Sequence, residues 1–146
     1  MKATTLLKSP LETDLSEFDT DKLTTLSRDL VRTGLREQAK HKEDNGDDAG
    51  ALPVARGKLY LEALATIGGR DQDLAAVAFT CLQREGFDIA TILHAAQAYK
   101  DDESAGDDHP VHVWMRHLKS GTVDNADGRQ EYVDGIEARA RDFITA

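Results

Sequence analysis

Apolar residues return every third or fourth position along most of this chain, the period of an α-helix that buries one face. The pattern is densest from Pro53 to Tyr99. There Leu59, Leu61, Leu64, Ala65 and Ile67 predict a helix over 53–67, and Leu74, Val77, Ala78, Cys81 and Leu82 predict a second over 71–85. Ile89, Ile92, Leu93, Ala96 and Tyr99 form the expected inward stripe of a third over 88–100. The punctuation agrees with the periodicity. Pro53 suits a first helical turn, where its missing N–H costs nothing. Gly68-Gly69 and Gly86 are expected stops, because glycine enters the left-handed conformation without a Cβ clash. Asp71 and Asp88 are expected N-caps, their carboxylates accepting N–H groups that lack a helical partner. Connections this short join neighbouring helices, so the stretch reads as the core.

The pattern continues on both flanks. Asp19 or Thr20 caps a long helix over 20–42 whose stripe is Leu23, Leu26, Leu30, Val31 and Leu35. Downstream, Asp108 as cap, Pro110, Val111, Trp114, Met115 and Leu118 predict a helix over 110–120, closed by Gly121. After a loop at 122–128, with Asp127 as cap, Tyr132, Val133, Ile136, Ala140, Phe143 and Ile144 predict the last helix, over 128–144. Gly34, Gly57 and Gly135 fall inside helices, where each costs about 1 kcal/mol against alanine. They mark points of close helix approach or of bending.

Residues 1–19 carry Leu6, Leu7, Leu11, Leu15 and Phe18, too much apolar surface to leave in water. The nearest cover is the chain's own core; the alternative, a second subunit, would make this arm a homo-oligomer contact. No run of β-branched residues alternates with polar ones. The fold class that follows is all-α, a single-domain irregular bundle of five to six helices over 20–146 preceded by an arm over 1–19.

At 146 residues the chain is long enough to bury a real core. Aromatics make up only 5%, so that core must be built mainly from Leu, Ile, Val and Ala. Twenty-seven acidic residues against 18 basic ones give a net charge of −9, which repels nucleic acid and anionic membrane. The same charge suits a basic partner, a cation-rich cytoplasm or solubility alone. No segment has the apolar length to cross a bilayer, and residues 1–10 lack the apolar run of a signal peptide. Cys81 is the one cysteine, so an internal disulfide is excluded and a reducing cytoplasm is the simplest home.

Against this acidity one helix face is basic: Lys22, Arg28, Arg32, Arg36, Lys40 and Lys42. Carboxylates at helical spacing pair only part of it. Arg28, Arg32, Arg36 and Lys40 are therefore candidate contacts for an acidic partner protein or for the chain's own acidic loops. Leu6, Leu7 and Leu11 of the arm join them as candidate partner-binding residues.

The chemistry sought elsewhere has poor geometry. His109, His112 and His117 crowd into one stretch beside Asp107 and Asp108, and with Asp108 they are candidate metal ligands. Yet His112 and His117 stand about 140° apart around a helix, and His109 precedes it. Zinc requires ligands that converge on one point. The hairpin over 71–100, with Gly86 in its turn, has the outline of a helix-turn-helix. Its second helix offers one lysine before Asp101, Asp102 and Glu103, a surface that phosphates avoid. The acidic stretches 43–50 and 100–108 lack the ligand spacing of a calcium loop. Gly68-Gly69 precedes no Lys-Ser/Thr pair, which excludes a P-loop. Cys81 lies on an inward stripe, so a nucleophile–base pair with His94 is not expected. No catalytic group and no cofactor are expected. The function class that remains is a small acidic, non-enzymatic protein-binding module, an adaptor, inhibitor or accessory subunit. A metal-binding helical bundle and a helix-turn-helix DNA-binding protein are the alternatives.

Overall fold

A computed structural model describes residues 1–46, 48, 50–102, 104–122 and 126–145, with the side chains of 119–122 and 126–129 excepted. Among the described residues every regular element is helical. The order is α1 (Ala3–Leu6), a 3-10 turn (Pro10–Glu12), α2 (Thr20–Asn45), α3 (Val54–Gly68), α4 (Gln72–Arg84), α5 (Ala90–Asp101), α6 (Pro110–Thr122) and α7 (Ala126–Arg141). The described residues thus form seven α-helices rather than five to six, the additional one being the single turn α1 inside the arm. Among the described residues no helix is long and apolar enough to cross a membrane.

Helix α3 is the axis of the bundle. Tyr60, Leu61, Ala63, Leu64, Ala65 and Ile67 are all buried, because α4, α5, α6 and the 3-10 turn pack around it. Helix α4 in turn lies between α2, α3 and α7. Two glycines permit this crowding. A Cβ at Gly57 would stand 2.2 Å from the carbonyl oxygen of Thr91, so α3 and α5 meet backbone to backbone. At Gly34 it would press on Leu82 and Tyr60 at 3.2 Å each. Gly135 differs: it is exposed, and a Cβ there would meet nothing within 4 Å among the described residues.

The capping chemistry is largely as the sequence predicts. Asp19 accepts the Lys22 N–H at 2.8 Å and Asp71 accepts that of Leu74 at 3.0 Å, each satisfying one of the free donors of a first turn. Gly86 adopts φ +93° at the stop after α4. Asp88 accepts the Ala90 N–H at 3.0 Å, so its turn leads into α5, which begins two residues later than expected. Other details depart. Gly69 keeps right-handed φ −63°, and Gly68 is instead a small residue on which Trp114 lies. The N–H of Val111 goes to His109 Nδ1 at 3.2 Å, the position expected of an Asp108 cap. Helix α2 runs on to Asn45, whose amide donates to the His41 carbonyl at 2.9 Å, and Gly46 then turns the chain at φ +90°. Helix α6 passes through Gly121 to Thr122. Helix α7 begins at Ala126, two residues before the expected start, so Asp127 falls within its first turn rather than capping it; positions 123–125 of the expected loop lie outside the described residues, as do 47, 49 and 103 of the two acidic stretches.

The arm packs on its own chain. Leu6, Leu7 and Leu15 are buried, and Leu11 is 39% exposed. Ala3 donates its N–H to Asp29 of α2 at 2.7 Å, Thr66 of α3 donates to the Pro10 carbonyl at 2.9 Å, and Arg70 donates to the Leu15 carbonyl.

Candidate partner-binding surface

The basic strip of α2 divides into two halves. Arg28 Nε donates to the Phe143 carbonyl at 2.7 Å with its guanidinium 5.4 Å from the Phe143 ring centroid, and Arg32 donates to the Ile144 carbonyl. Carbonyls beyond a helix end lack intrahelical donors and sit at the negative end of the helix dipole, so two arginines there fasten the end of α7 to α2. Arg36 donates to Thr33 and Lys40 pairs with Asp44 at 3.8 Å, both within α2 and both exposed, where such pairs contribute little. Arg36 and Lys40 remain open to solvent, while Arg28 and Arg32 are engaged internally. Leu6 and Leu7, expected on a contact surface, are covered by the core; of the three arm leucines only Leu11 reaches water.

Glu37 anchors the other side of α2. It accepts both Nε and Nη2 of Arg56 at 2.6 Å and the Tyr60 hydroxyl at 2.8 Å, linking α2 to α3. Burial opposes ionisation of Glu37, but Arg56 and Tyr60 outweigh it and hold the carboxyl below its usual 4.5. Burial and the adjacent Glu37 raise Tyr60 far above the ordinary phenol range, so it serves as a neutral donor. The cluster is a clamp. Because the carboxyl binds protons less readily folded than unfolded, its contribution is full above about pH 4.5 and is lost as pH falls through the lower folded-state value. Glu37→Gln is expected to cost about 2 kcal/mol at neutral pH, leaving Arg56 half-buried without its counter-charge. Urea titrations should show the gap between variant and wild type closing below pH 4.5; a gap independent of pH would refute the clamp.

The histidines do not converge. His109 and His112 face each other with ring centroids 6.1 Å apart and both lie against Tyr99, at 5.3 and 6.4 Å. His117 points elsewhere, its Nε2 2.9 Å from the Tyr132 hydroxyl and 3.7 Å from Asp73. Burial and the nearby Asp73 charge push Tyr132 up to about 12. Asp108 is exposed. Among the described residues no three His, Cys, Asp or Glu side chains gather as a metal would need. Cys81 is buried, with burial raising its thiol pKa, whereas His94 is exposed, so the two do not form a nucleophile and base. In the 71–100 hairpin, α5 packs chiefly on α3, and its exposed face carries Leu93, His94, Gln97, Lys100 and Asp101, a single fixed cation with a carboxylate beside it.

What the helices do bring together is a groove between α5 and α6. Both pack on α3, and Tyr99 at the end of α5 meets His109 and His112 at the start of α6. Between them lies an open apolar space of about 410 Å³, well above the roughly 150 Å³ left by deleting one core side chain. Leu61, Phe79, Ile92 and Trp114 lie at its base, with Leu93, Ala96, Met115 and Leu118 along it. Leu93 is 57% exposed, the largest exposure of any apolar side chain in α5 and contrary to the inward position its spacing predicts. Lys100 and Arg116 also line the groove, both exposed and neither in an ion pair among the described residues. His112 Nε2 and Trp114 Nε1 are buried without hydrogen-bond partners among the described residues, the latter against Gly68. Phe79 and Leu118 also wall a second apolar hollow of about 440 Å³ between α4 and α7, floored by Ala76 and Ile136.

Leu93, Lys100 and Arg116 were not singled out as contact residues by their sequence. The one available signal was the adjacent pair Ile92-Leu93, since two neighbouring large apolar residues cannot both point the same way from one helix. No protein-family model, curated protein or solved structure matches this chain.

Proposed function

We propose that the chain is a non-enzymatic protein-binding module, an accessory or regulatory subunit that receives its partner in the α5–α6 groove. The observation that supports this is an apolar trough with a half-open leucine, Leu93, on its wall and two unpaired cations beside it. Exposed apolar surface bordered by charge is characteristic of protein contact sites. Arg36, Lys40 and Leu11, left open elsewhere, are secondary contacts at most; the hollow that Lys40 lines, of about 250 Å³, is smaller. A single buried cysteine accords with work in a reducing cytoplasm.

Leu93→Asp provides the test, because a side chain so exposed is expected to change stability by less than about 0.5 kcal/mol. Tagged wild-type protein should retain a stoichiometric partner from lysate of its source cells, and the variant should lose that partner while melting at the same temperature. Equal capture by both proteins, or a wild type that stays monomeric and alone, would defeat the proposal.

A further inference from the structure

We infer that the occupant of the α5–α6 groove is an amphipathic α-helix of the partner, with carboxylates along the edge that meets Lys100 and Arg116. This rests on the groove being the contact site. The case for a helix starts from the backbone. A segment entering an apolar trough loses water from its N–H and C=O groups, and each left unpaired carries a heavy cost. An extended peptide escapes this cost by pairing with a sheet edge, and the described residues contain no strand to provide one. A helix arrives with those bonds already made, and laying its apolar face into a groove between helices is a recurrent mode of recognition. The dimensions agree: α5 and α6, of 12 and 13 residues, extend about 18–20 Å, the length of a partner helix of some 12–14 residues.

The case for carboxylates is charge complementarity. The protein carries −9 overall, yet the groove is lined by two cations and no acidic residue. Asp101, the nearest carboxylate in sequence to Lys100, accepts from Gln97 Nε2 at 3.0 Å and stays on the outer face of α5. At about 0.15 M salt the screening length is roughly 8 Å, so the distant acidic surface is muted while a carboxylate in contact with Lys100 or Arg116 is not.

Trp114 is the only tryptophan and lies at the base of the groove, so its fluorescence reports occupancy directly. The probes are three designed helical peptides of about 14 residues. They share one leucine-rich face and differ in carrying Glu, Gln or Lys along its edges. A fourth repeats the Glu peptide with a central proline, and sodium dodecanoate tests a small amphipathic acid. The Glu peptide is expected to bind about tenfold tighter than the Lys peptide, with the Gln peptide between them and the proline version lost. In Lys100→Glu/Arg116→Glu the order should invert, and in Lys100→Gln/Arg116→Gln it should flatten. Because both side chains are exposed, these variants should melt as wild type does.

Equal affinity for Glu and Lys peptides, or a preference untouched by the charge reversal, overturns the carboxylate assignment. Undiminished binding of the proline peptide overturns the helix. A response to dodecanoate but to no peptide gives the groove to a small acid and overturns both. If Leu93→Asp nevertheless loses the native partner, only the occupant was wrong; if the partner is retained, the groove itself is not the contact site.

Discussion

Alanine at Gly57 is expected to destabilise the fold by about 3 kcal/mol, the upper range for forcing a methyl group into a packed interface. The same substitution at Gly135 is expected to stabilise it by about 1 kcal/mol, the ordinary gain of alanine over glycine in a helix. Both glycines lie inside helices, so helix propensity alone predicts a gain at each. The difference is what a Cβ meets. At Gly57 it would lie 2.2 Å from Thr91 O and 3.0 Å from Thr91 C, which are backbone atoms that no side-chain rotation moves aside. Relief requires α5 to back away from α3, and that would disturb the buried Thr91 hydroxyl, which accepts the Leu52 N–H at 3.0 Å. At Gly135 the added methyl meets nothing within 4 Å among the described residues. Urea midpoints for the two single variants decide the matter: opposite signs support the close crossing, and a shared sign rejects it.

The crossing also explains where periodicity misleads. The long stripes of α2 and α4 were legible because hydrophobic burial dominates them: Leu23, Leu26, Leu30 and Val31 are buried, as are Leu74, Val77, Ala78, Cys81 and Leu82. In α5 the polar Thr91 is fully buried, since its hydroxyl pairs across the interface and its backbone touches Gly57. Helix α5 turns to place Thr91, Ile92, Ala95 and Tyr99 inward, and Leu93 rotates out. A pattern that weighs each residue by hydropathy cannot register a threonine buried for its hydrogen bond.

The surface was less legible than the core for a related reason. Arg28 and Arg32 read as a free basic face because their acceptors, the carbonyls of Phe143 and Ile144, lie more than a hundred residues away and are backbone atoms, which the sequence does not distinguish. Lys100 and Arg116 are single cations on different helices, lining one groove only because α5 and α6 share α3 as support. A groove between two helices belongs to neither stripe. The arm was half legible: its leucines demanded cover, and cover by the core was the expected outcome, but the hydrogen bonds from Thr66 and Arg70 that hold it required the tertiary structure.

Trp114 and Gly68 make the second large effect, and a sharper one because it is a coupling. Trp114→Ala is expected to cost about 4 kcal/mol, typical of removing a fully buried aromatic. The ring is 2% exposed and stands edge-on to Phe79 with centroids 5.7 Å apart. At about 3 °C per kcal/mol for a chain of this size, the melting temperature should fall by roughly 12 °C. Gly68→Ala should also destabilise, by about 2 kcal/mol, because its Cβ would come 2.5 Å from Trp114 Cδ1 and displace the indole. In the double variant the two changes relieve each other. With the ring gone, the new methyl enters the space it vacated, and alanine regains its advantage over glycine in the helix. The cycle should therefore show about 2 kcal/mol of favourable coupling, with Trp114→Ala/Gly68→Ala no less stable than Trp114→Ala alone. Simple additivity in the urea titrations would mean that α6 does not rest on the end of α3 through this pair, and the groove that both helices help to form would lose its base.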